Sequence, residues 1–412
     1  MTPDVAKKGT AATARYAAKK DAILAAATTI LNRQGVKGMT LADVATEVGL
    51  ITTSVTYYYR RKEDLAAACF MRGIAIFNDL AVEASKVSGA RARLARFLEL
   101  FFDLSRRIRL KETVPIVAFG EMRALKEPFR TEVSDAFNDL FRAIRSFFDD
   151  PEFTGLDRRE ATARTHLLLE QAFSSVLWLR RYDVEDYPRI RDRMFDILSG
   201  GLAVGARAWA PPPLPDPTPS AARTQDVSRE TFLVAATRLI NRKGYRGASV
   251  DEISAELKVT KGSFYHHNND KDGLVSQCFE RTFNVKRNVQ FAARALQTDQ
   301  WTRLAAASAT LVEYQLSDHG PLLRASAMQA LPSDLRQEMV EAYNRGSDRF
   351  AGMISDGIAE GSIRPVDPLV AAHMLSSMLN AAASLGMWAP DLKREEAAAL
   401  FARPLLLGVF TR

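Results

Sequence analysis

A displacement of 209 residues lays the second half of this chain on the first without a gap. It carries Gly35 onto Gly244, Asn32 onto Asn241, Arg33 onto Arg242, Gly38 onto Gly247, Glu47 onto Glu256 and Ser54 onto Ser263. Lys62, Leu65, Cys69 and Phe70 fall in the same register on Lys271, Leu274, Cys278 and Phe279. The apolar pattern repeats with the identities. Ile23, Ala27, Ile30 and Leu31 form an i, i+4, i+7, i+8 stripe, and Phe232, Ala236, Leu239 and Ile240 form it again. Each half therefore begins with the same amphipathic helix, and the chain is a tandem repeat of one structural unit.

The boundary between the copies is written in prolines. Residues 211–219 hold six prolines in nine positions. Proline fixes φ and removes the backbone donor, so this stretch forbids helix and reads as a semi-rigid extended linker. The 412-residue length, too great for one ordinary core, agrees with at least two domains. With 47% hydrophobic and 25% charged residues the composition is that of a folded globular protein. Long apolar runs at helical spacing, such as Leu94 to Ile108, Ala161 to Arg180, Leu335 to Ile358 and Ala371 to Met387, meet no competing strand alternation, which predicts an all-α fold.

The first helix of each half ends at a glycine, Gly35 or Gly244, suited to a left-handed cap. Thr40 to Asp43 and Ser249 to Glu252 follow, each with a hydroxyl and, three residues on, an acid, which is the pattern of a capping box. Two short second helices start there, facing inward with Leu41, Val44 and Val48, or with Val250, Ile253 and Leu257. A tight turn at Gly49-Leu50 or Lys258-Val259 leads to a third helix rich in hydroxyls, amides and aromatics, TTSVTYYYRRK at 52–62 and KGSFYHHNNDK at 261–271. Helix, short helix, turn and short polar helix is the order in which the last helix lies in a DNA major groove. The same spacing also serves as plain helical structure, so it does not by itself establish DNA binding.

Residues 23–65 and 232–274 resemble the N-terminal domain of the TetR family of repressors, whose pattern runs from an amphipathic helix through G-x-x-x-T/S to a tyrosine-rich recognition helix and a K-x-x-L close. The resemblance implies phosphate contacts from Thr40, Tyr58 and Lys62 in the first copy and from Ser249, Tyr265 and Lys271 in the second. It implies base-edge contacts from Thr52, Thr53, Ser54 and Tyr57, and from Lys261, Gly262, Ser263 and His266. Tyr59 and Phe264 would face the core, and Arg60 and Arg61 could equally be solvated. Three positions depart from the family pattern. Thr56 stands where a phosphate-binding tyrosine is usual, with Tyr57 and Tyr58 beside it as substitutes; Lys258 replaces the turn glycine, and Asn268 replaces an aromatic anchor. The changes at 258 and 268 would cost on the order of 1 kcal/mol each and leave the second head less rigid.

The expected layout is an all-α pair of tandem TetR-like units, each a helix-turn-helix three-helix domain followed by a helical ligand-binding and dimerisation domain. Its boundaries are 1–65 with a basic N-terminal tail, 66–210, a Pro-rich linker at 211–227, 228–274, and 275–412. The resemblance further implies that residues 158–208 and 367–410 form the packing face of a four-helix bundle. The partners it implies are a double-stranded DNA operator and a small-molecule effector. Fusion allows an intrachain pseudo-dimer with two unlike heads, and a homodimer of fused chains with four heads is the competing arrangement. A ligand would act by holding the heads at a spacing that does not fit DNA. Aromatic residues such as Phe101, Phe102, Trp178 and Trp388 are candidates for a pocket, although rings at helical spacing are more often core. A third possibility is a ligand sensor or protein-interaction module in which one or both heads no longer bind DNA.

A net charge of +7 fits a polyanionic partner. Lys7, Lys8, Arg15, Lys19 and Lys20 in the tail would follow phosphates as a flexible arm or simply be solvated. The five histidines, His166, His266, His267, His319 and His373, show no metal-ligand spacing with acids or cysteines. Nucleophile-elbow, phosphate-loop and dinucleotide motifs are absent from the sequence, so neither an enzyme nor a bound cofactor is expected. The two cysteines read as buried small hydrophobes rather than a disulfide. No uninterrupted apolar run of membrane-spanning length occurs and no apolar stretch follows the N-terminal lysines, which predicts a cytoplasmic protein with no membrane partner.

Overall fold

A computed structural model describes residues 4–153, 155–218, 227–245, 247–256 and 270–411. Helix is the dominant structure of the described residues, and a single antiparallel bridge between Ala203 and Ile363 is their only extended pairing. In the first half the helices are α1 (Asp4–Gly38), α2 (Leu41–Val48), α3 (Thr52–Tyr58), α4 (Lys62–Ser85), α5 (Ala90–Arg109), α6 (Phe129–Arg145), α7 (Arg158–Trp178) and α8 (Tyr187–Gly200). The second half has α9 (Val227–Lys243), α10 (Val250–Glu256), α11 (Lys271–Ala295), α12 (Gln300–Tyr314), α13 (Ser333–Ala359), α14 (Pro368–Ala382), α15 (Leu385–Trp388), α16 (Arg394–Phe401) and α17 (Arg403–Leu407). Each half also has a 3-10 turn before its fourth long helix, Phe119–Ala124 and Ala325–Ala330.

The repeated residues do the same work twice. Gly35 and Gly244 both have positive φ, 66° and 75°, and turn the chain at the end of the apolar stripe. Cys69 and Cys278 are both buried thiols that reach a carbonyl of the first helix, Leu24 O at 3.8 Å and Leu233 O at 3.6 Å. Burial pushes the two thiols up to about 11 and about 12, which keeps them protonated and inert. Asn32 and Asn241 form a pair of two-point clamps. Asn32 donates to Ile116 O at 2.9 Å and accepts from Ala118 N at 2.8 Å, while Asn241 donates to Leu322 O at 2.8 Å and accepts from Arg324 N at 3.0 Å. An asparagine can satisfy both groups of an irregular loop at once. These clamps fasten each first helix to the loop ahead of the 3-10 turn in its own half.

The N-terminal tail differs from the expected flexible arm: the chain is already helical from Asp4 and runs without a break into the first apolar stripe. Its alanine-rich composition supports this, since alanine has the highest helix propensity. The proline stretch is non-helical through Thr218 as expected, but it lies on the second half. Pro217 O accepts from Asn288 Nδ2 at 3.2 Å, and Arg207 pairs with Asp299 at 2.6 Å.

The halves meet along α7 and α8 on one side and α14, α16 and α17 on the other. Gln171, fully buried, donates to Met374 O at 3.0 Å. Buried Arg164 donates to Val409 O at 2.9 Å and Thr411 O at 2.8 Å. Arg193 pairs with Asp367. Two histidine–tryptophan stacks cross this surface in opposite directions. Trp178 lies on His373 at 5.2 Å with the rings 5° from parallel, and Trp388 lies on His166 at 4.4 Å and 17°. The tryptophans considered as pocket residues therefore belong to the junction, and Phe101 and Phe102 are core. Helix α4 is long and apolar enough to cross a membrane by length and composition, but Leu65, Cys69, Phe70, Ile74 and Phe77 of its apolar face are buried within the first half.

Burial holds both histidines neutral. His166 is pulled down to about 3, with Arg123 and Arg324 adding to the effect, and His373 to about 4, with Arg181 adding and Asp367 opposing. The unfolded chain takes up these protons near pH 6.5 and the folded chain only near 3 to 4. Their contribution is thus complete above about pH 6.5 and is lost as the pH falls through that window. A double variant, His166→Gln with His373→Gln, should lose less of its urea midpoint than the parent between about pH 7 and pH 4.5. An equal loss in both proteins would show that these imidazoles do not set the acid sensitivity.

Candidate nucleic-acid interface

Three short-range devices hold the first head. Thr40 caps α2 by accepting from Asp43 N at 3.1 Å, and its hydroxyl donates to the Asp43 carboxylate at 2.7 Å. In the second head Ser249 accepts from Glu252 N and Glu252 accepts from Ser249 N, both at 3.2 Å, a complete reciprocal box. The first head has only the hydroxyl half of this box, because the Asp43 carboxylate takes the Thr40 hydroxyl. Gly49 then ends α2 at φ 70° and ψ 33°, and Leu50 N donates back to Ala45 O at 2.8 Å.

Helix α3 is fixed from below by residues four apart. Val55 is fully buried and Tyr59 nearly so, packed with the stripe of α1. With 55 and 59 inward, helical geometry turns Thr53 and Tyr57 outward, and Thr52 is open at the first position of the helix. Thr52 and Thr53 are exposed, Ser54 is half-buried, and Tyr57 is 75% exposed. Ile51, which precedes the helix, is 71% exposed. Two large exposed side chains at the tip of a small domain suit a surface that meets a partner.

The expected phosphate contacts differ in their surroundings. Tyr58 is half-buried, its ring 4.8 Å from that of Tyr16 and 5.3 Å from that of Tyr57. Thr56 donates to Thr53 O at 2.9 Å, so its hydroxyl is taken up by the helix itself. Lys62 donates from Nζ to Lys37 O at 2.8 Å, which places its charge at the end of α1. Lys271 sits over the Tyr245 ring at 4.3 Å. Lys258, Lys261, Gly262, Ser263, Phe264, Tyr265, His266 and Asn268 lie outside the described residues, so the second reading helix is represented here by its flanks, Ser249 and Lys271.

Tyr16 is the contributor that motif reasoning missed. It precedes Ile23 by seven residues and so continues the α1 stripe by two turns, a signal present in the spacing. Arg15, Lys19 and Lys20 are exposed on the same stretch of α1, and Arg60 and Arg61 are exposed just after α3. Arg61 is also tied to Asp64 at 3.0 Å. The result is an outward polar and aromatic helix with cations at its borders, the distribution that a phosphate-lined groove attracts.

The heads also touch the opposite half. Helix α1 packs on the Ala325–Ala330 turn and α9 on the Phe119–Ala124 turn. Lys37 Nζ donates directly to Gly247 O in the other head at 3.0 Å.

The family model for bacterial regulatory proteins of the tetR family matches residues 23–69 and again 232–278, and a tetracyclin repressor-like C-terminal domain model matches 297–384. The transposon Tn10 TetC protein of Escherichia coli is 29% identical over 94 residues, 23% of this chain and 47% of that protein. This chain thus spans about half the length of that relative. The HTH-type transcriptional repressor DhaR of a Mycobacterium species (strain GP1) is 27% identical over 139 residues, 33% of this chain and 70% of its own. Among solved structures, apo AibR superposes with a TM-score of 0.37 at 23% identity, covering 44% of this chain and 99% of its own.

Gly49 tests whether the head depends on backbone conformation. A methyl group there would meet nothing within 4 Å, so Gly49→Ala carries only the cost of the left-handed backbone. We expect a loss of about 1 kcal/mol in urea unfolding. A loss near zero would mean that the turn relaxes, and one of several kcal/mol would mean that it is packed more tightly than described.

Proposed function

We propose, for a chain that belongs to the tetR family of bacterial regulatory proteins and carries two of its units in tandem, that one molecule is a ligand-responsive repressor presenting both DNA-reading heads. The observation that carries this reading is α3. Its anchors Val55 and Tyr59 are buried, while Thr52, Thr53 and Tyr57 face outward between exposed cations of α1 and of the segment after α3. In this reading Thr40, Tyr58 and Lys62 meet phosphates, with Lys62 leaving Lys37 O to do so, and Thr52, Thr53, Ser54 and Tyr57 meet base edges. The second head would use Ser249, Tyr265 and Lys271 on the backbone and Lys261, Gly262, Ser263 and His266 on the bases.

The domain assignment that goes with it is heads at 1–65 and 228–274, regulatory bodies at 66–210 and 275–412, and a linker at 211–227. Burial of α7 and α8 against α14, α16 and α17 supports the intrachain pseudo-dimer, because the surface that would recruit a second chain is occupied from within. The likeness to DhaR, named a repressor, supports repression. The protein would act in the cytoplasm, where its operator is. An effector would change the relative position of the heads, a shift between two packed arrangements.

Selection of duplexes from a random library tests this directly. The two reading helices differ, so the preferred site should have unlike half-sites; a palindrome would point to two chains per site. Thr53→Ala should relax the choice of base at one position by about tenfold. Arg60→Ala should weaken all sequences alike and lower the salt slope by about one. If neither variant changes binding, or if all sequences bind equally, the groove assignment of α3 is wrong.

A further inference from the structure

Helix α3 is seven residues long, and no side chain caps its N-terminus. Two turns of helix do not hold their shape in water by themselves, so the presentation of Thr53 and Tyr57 depends on tertiary packing. Val55 and Tyr59 supply part of it from beneath. The rest comes from the N-terminal part of α1. The Tyr16 ring lies 4.8 Å from that of Tyr58 and, nearly perpendicular, 6.3 Å from that of Tyr57, while the Tyr57 and Tyr58 rings meet edge to face at 5.3 Å. One turn further along α1, Lys20 Nζ stands 5.9 Å from the centre of the Tyr59 ring. Tyr16, Lys20 and Ile23 are spaced i, i+4, i+7, so one continuous face of α1 runs from the core stripe to the C-terminal end of α3.

The sequence of the second copy does not repeat this face. In the repeat register Gln225 stands at the position of Tyr16, and His266, His267 and Asn268 stand at those of Tyr57, Tyr58 and Tyr59, so none of the four tyrosines recurs. Arg229, at the position of Lys20, is engaged elsewhere: its Nε and Nη2 donate to Gln277 Oε1 of α11 at 3.2 and 2.8 Å. The matching residue of α4 is Ala68, which offers no such acceptor. The four tyrosines are therefore present together in one copy and absent together from the other, as side chains that act as a unit would be. Tyr16 is also 43% exposed, so it adds little to the core. Its ring partners are the two tyrosines assigned above to a base edge and a phosphate.

We propose that Tyr16 is a positioning residue for DNA recognition: it holds Tyr57 and Tyr58 in their reading geometry before DNA arrives, and it makes the first head the one that sets sequence selectivity. This rests on the reading of α3 as a groove helix and adds which residue fixes that helix and which head discriminates. Side chains already held in place lose less rotamer freedom when they meet a base or a phosphate, and that advantage is felt in the complex and not in the stability of the free protein. An aromatic pair of this kind is worth up to about tenfold in affinity. The second head, without the brace, adds affinity and discriminates less.

The full chain and its Tyr16→Ala and Tyr16→Phe variants should be compared by fluorescence anisotropy on the selected duplex and on duplexes with either half-site scrambled. The first half-site is the one at which Thr53→Ala relaxes the choice of base. Tyr16→Ala should bind the intact site up to about tenfold more weakly. Its penalty for scrambling the first half-site should shrink by the same factor, with the penalty at the second unchanged. Tyr16→Phe keeps the ring and should bind like the parent, and both variants should melt within about 2 °C of it, as substitutions at an exposed position do. Parental binding by Tyr16→Ala, a loss in Tyr16→Phe equal to that in Tyr16→Ala, or a loss shared evenly between the half-sites would each overturn the proposal. The second of these would make the Tyr16 hydroxyl a phosphate contact in its own right. A parent that binds selected and scrambled duplexes equally would instead remove the groove reading on which the proposal rests.

Discussion

The packing of α7 and α8 against α14, α16 and α17 is the contact on which the rest of the architecture depends. Each half brings one terminal helical face that is apolar and cannot be left in water, and the proline stretch keeps the other half always within reach. Linking two surfaces in one chain turns their association into an intramolecular event, with an effective concentration set by the linker. Specificity within the junction comes from polar groups that must find partners once buried. Gln171 and Arg164 do so on backbone carbonyls across the junction. The crossed His–Trp stacks add flat surfaces that fit only in one register.

From that junction the geometry passes outward to the heads. Each first helix is clamped by an asparagine to a loop of its own half, and each also leans on the 3-10 turn of the other half. A head is therefore not a bead on a string. Its position is fixed by both bodies, so a change in either loop is felt at α1 or α9. The two interiors differ: Phe77, Phe119 and Phe173 cluster in the first half, whereas Lys286 and Ala325 stand at the positions of Phe77 and Phe119 in the second. A tandem chain can carry such a difference, whereas a homodimer has two identical interiors.

Much of this was legible in the sequence where local chemistry is decisive. Gly35, Gly244, Thr40 and Ser249 announce helix ends because a left-handed turn and a capping hydroxyl are requirements of one or two residues. The duplication was legible because one register holds from Asn32 to Phe70. The partner of each long helix was not, since an apolar face says that it is buried and not against what. Trp178 and Trp388 are rings at helical spacing like any core ring, and only the fold places histidines from the opposite half on them. In the candidate interface, the family resemblance put Tyr59 inward and the structure adds Val55 beneath α3, whereas Tyr16 was passed over because it was counted with a tail read as flexible.

The most direct test of the central claim is the mass of the complex between the full chain and its selected duplex, measured by sedimentation equilibrium or native mass spectrometry. One 412-residue chain per duplex is the expected result, with each of the two heads contributing to the footprint. Two chains on a single site would contradict the account, because both heads of one molecule would then not suffice to read the operator.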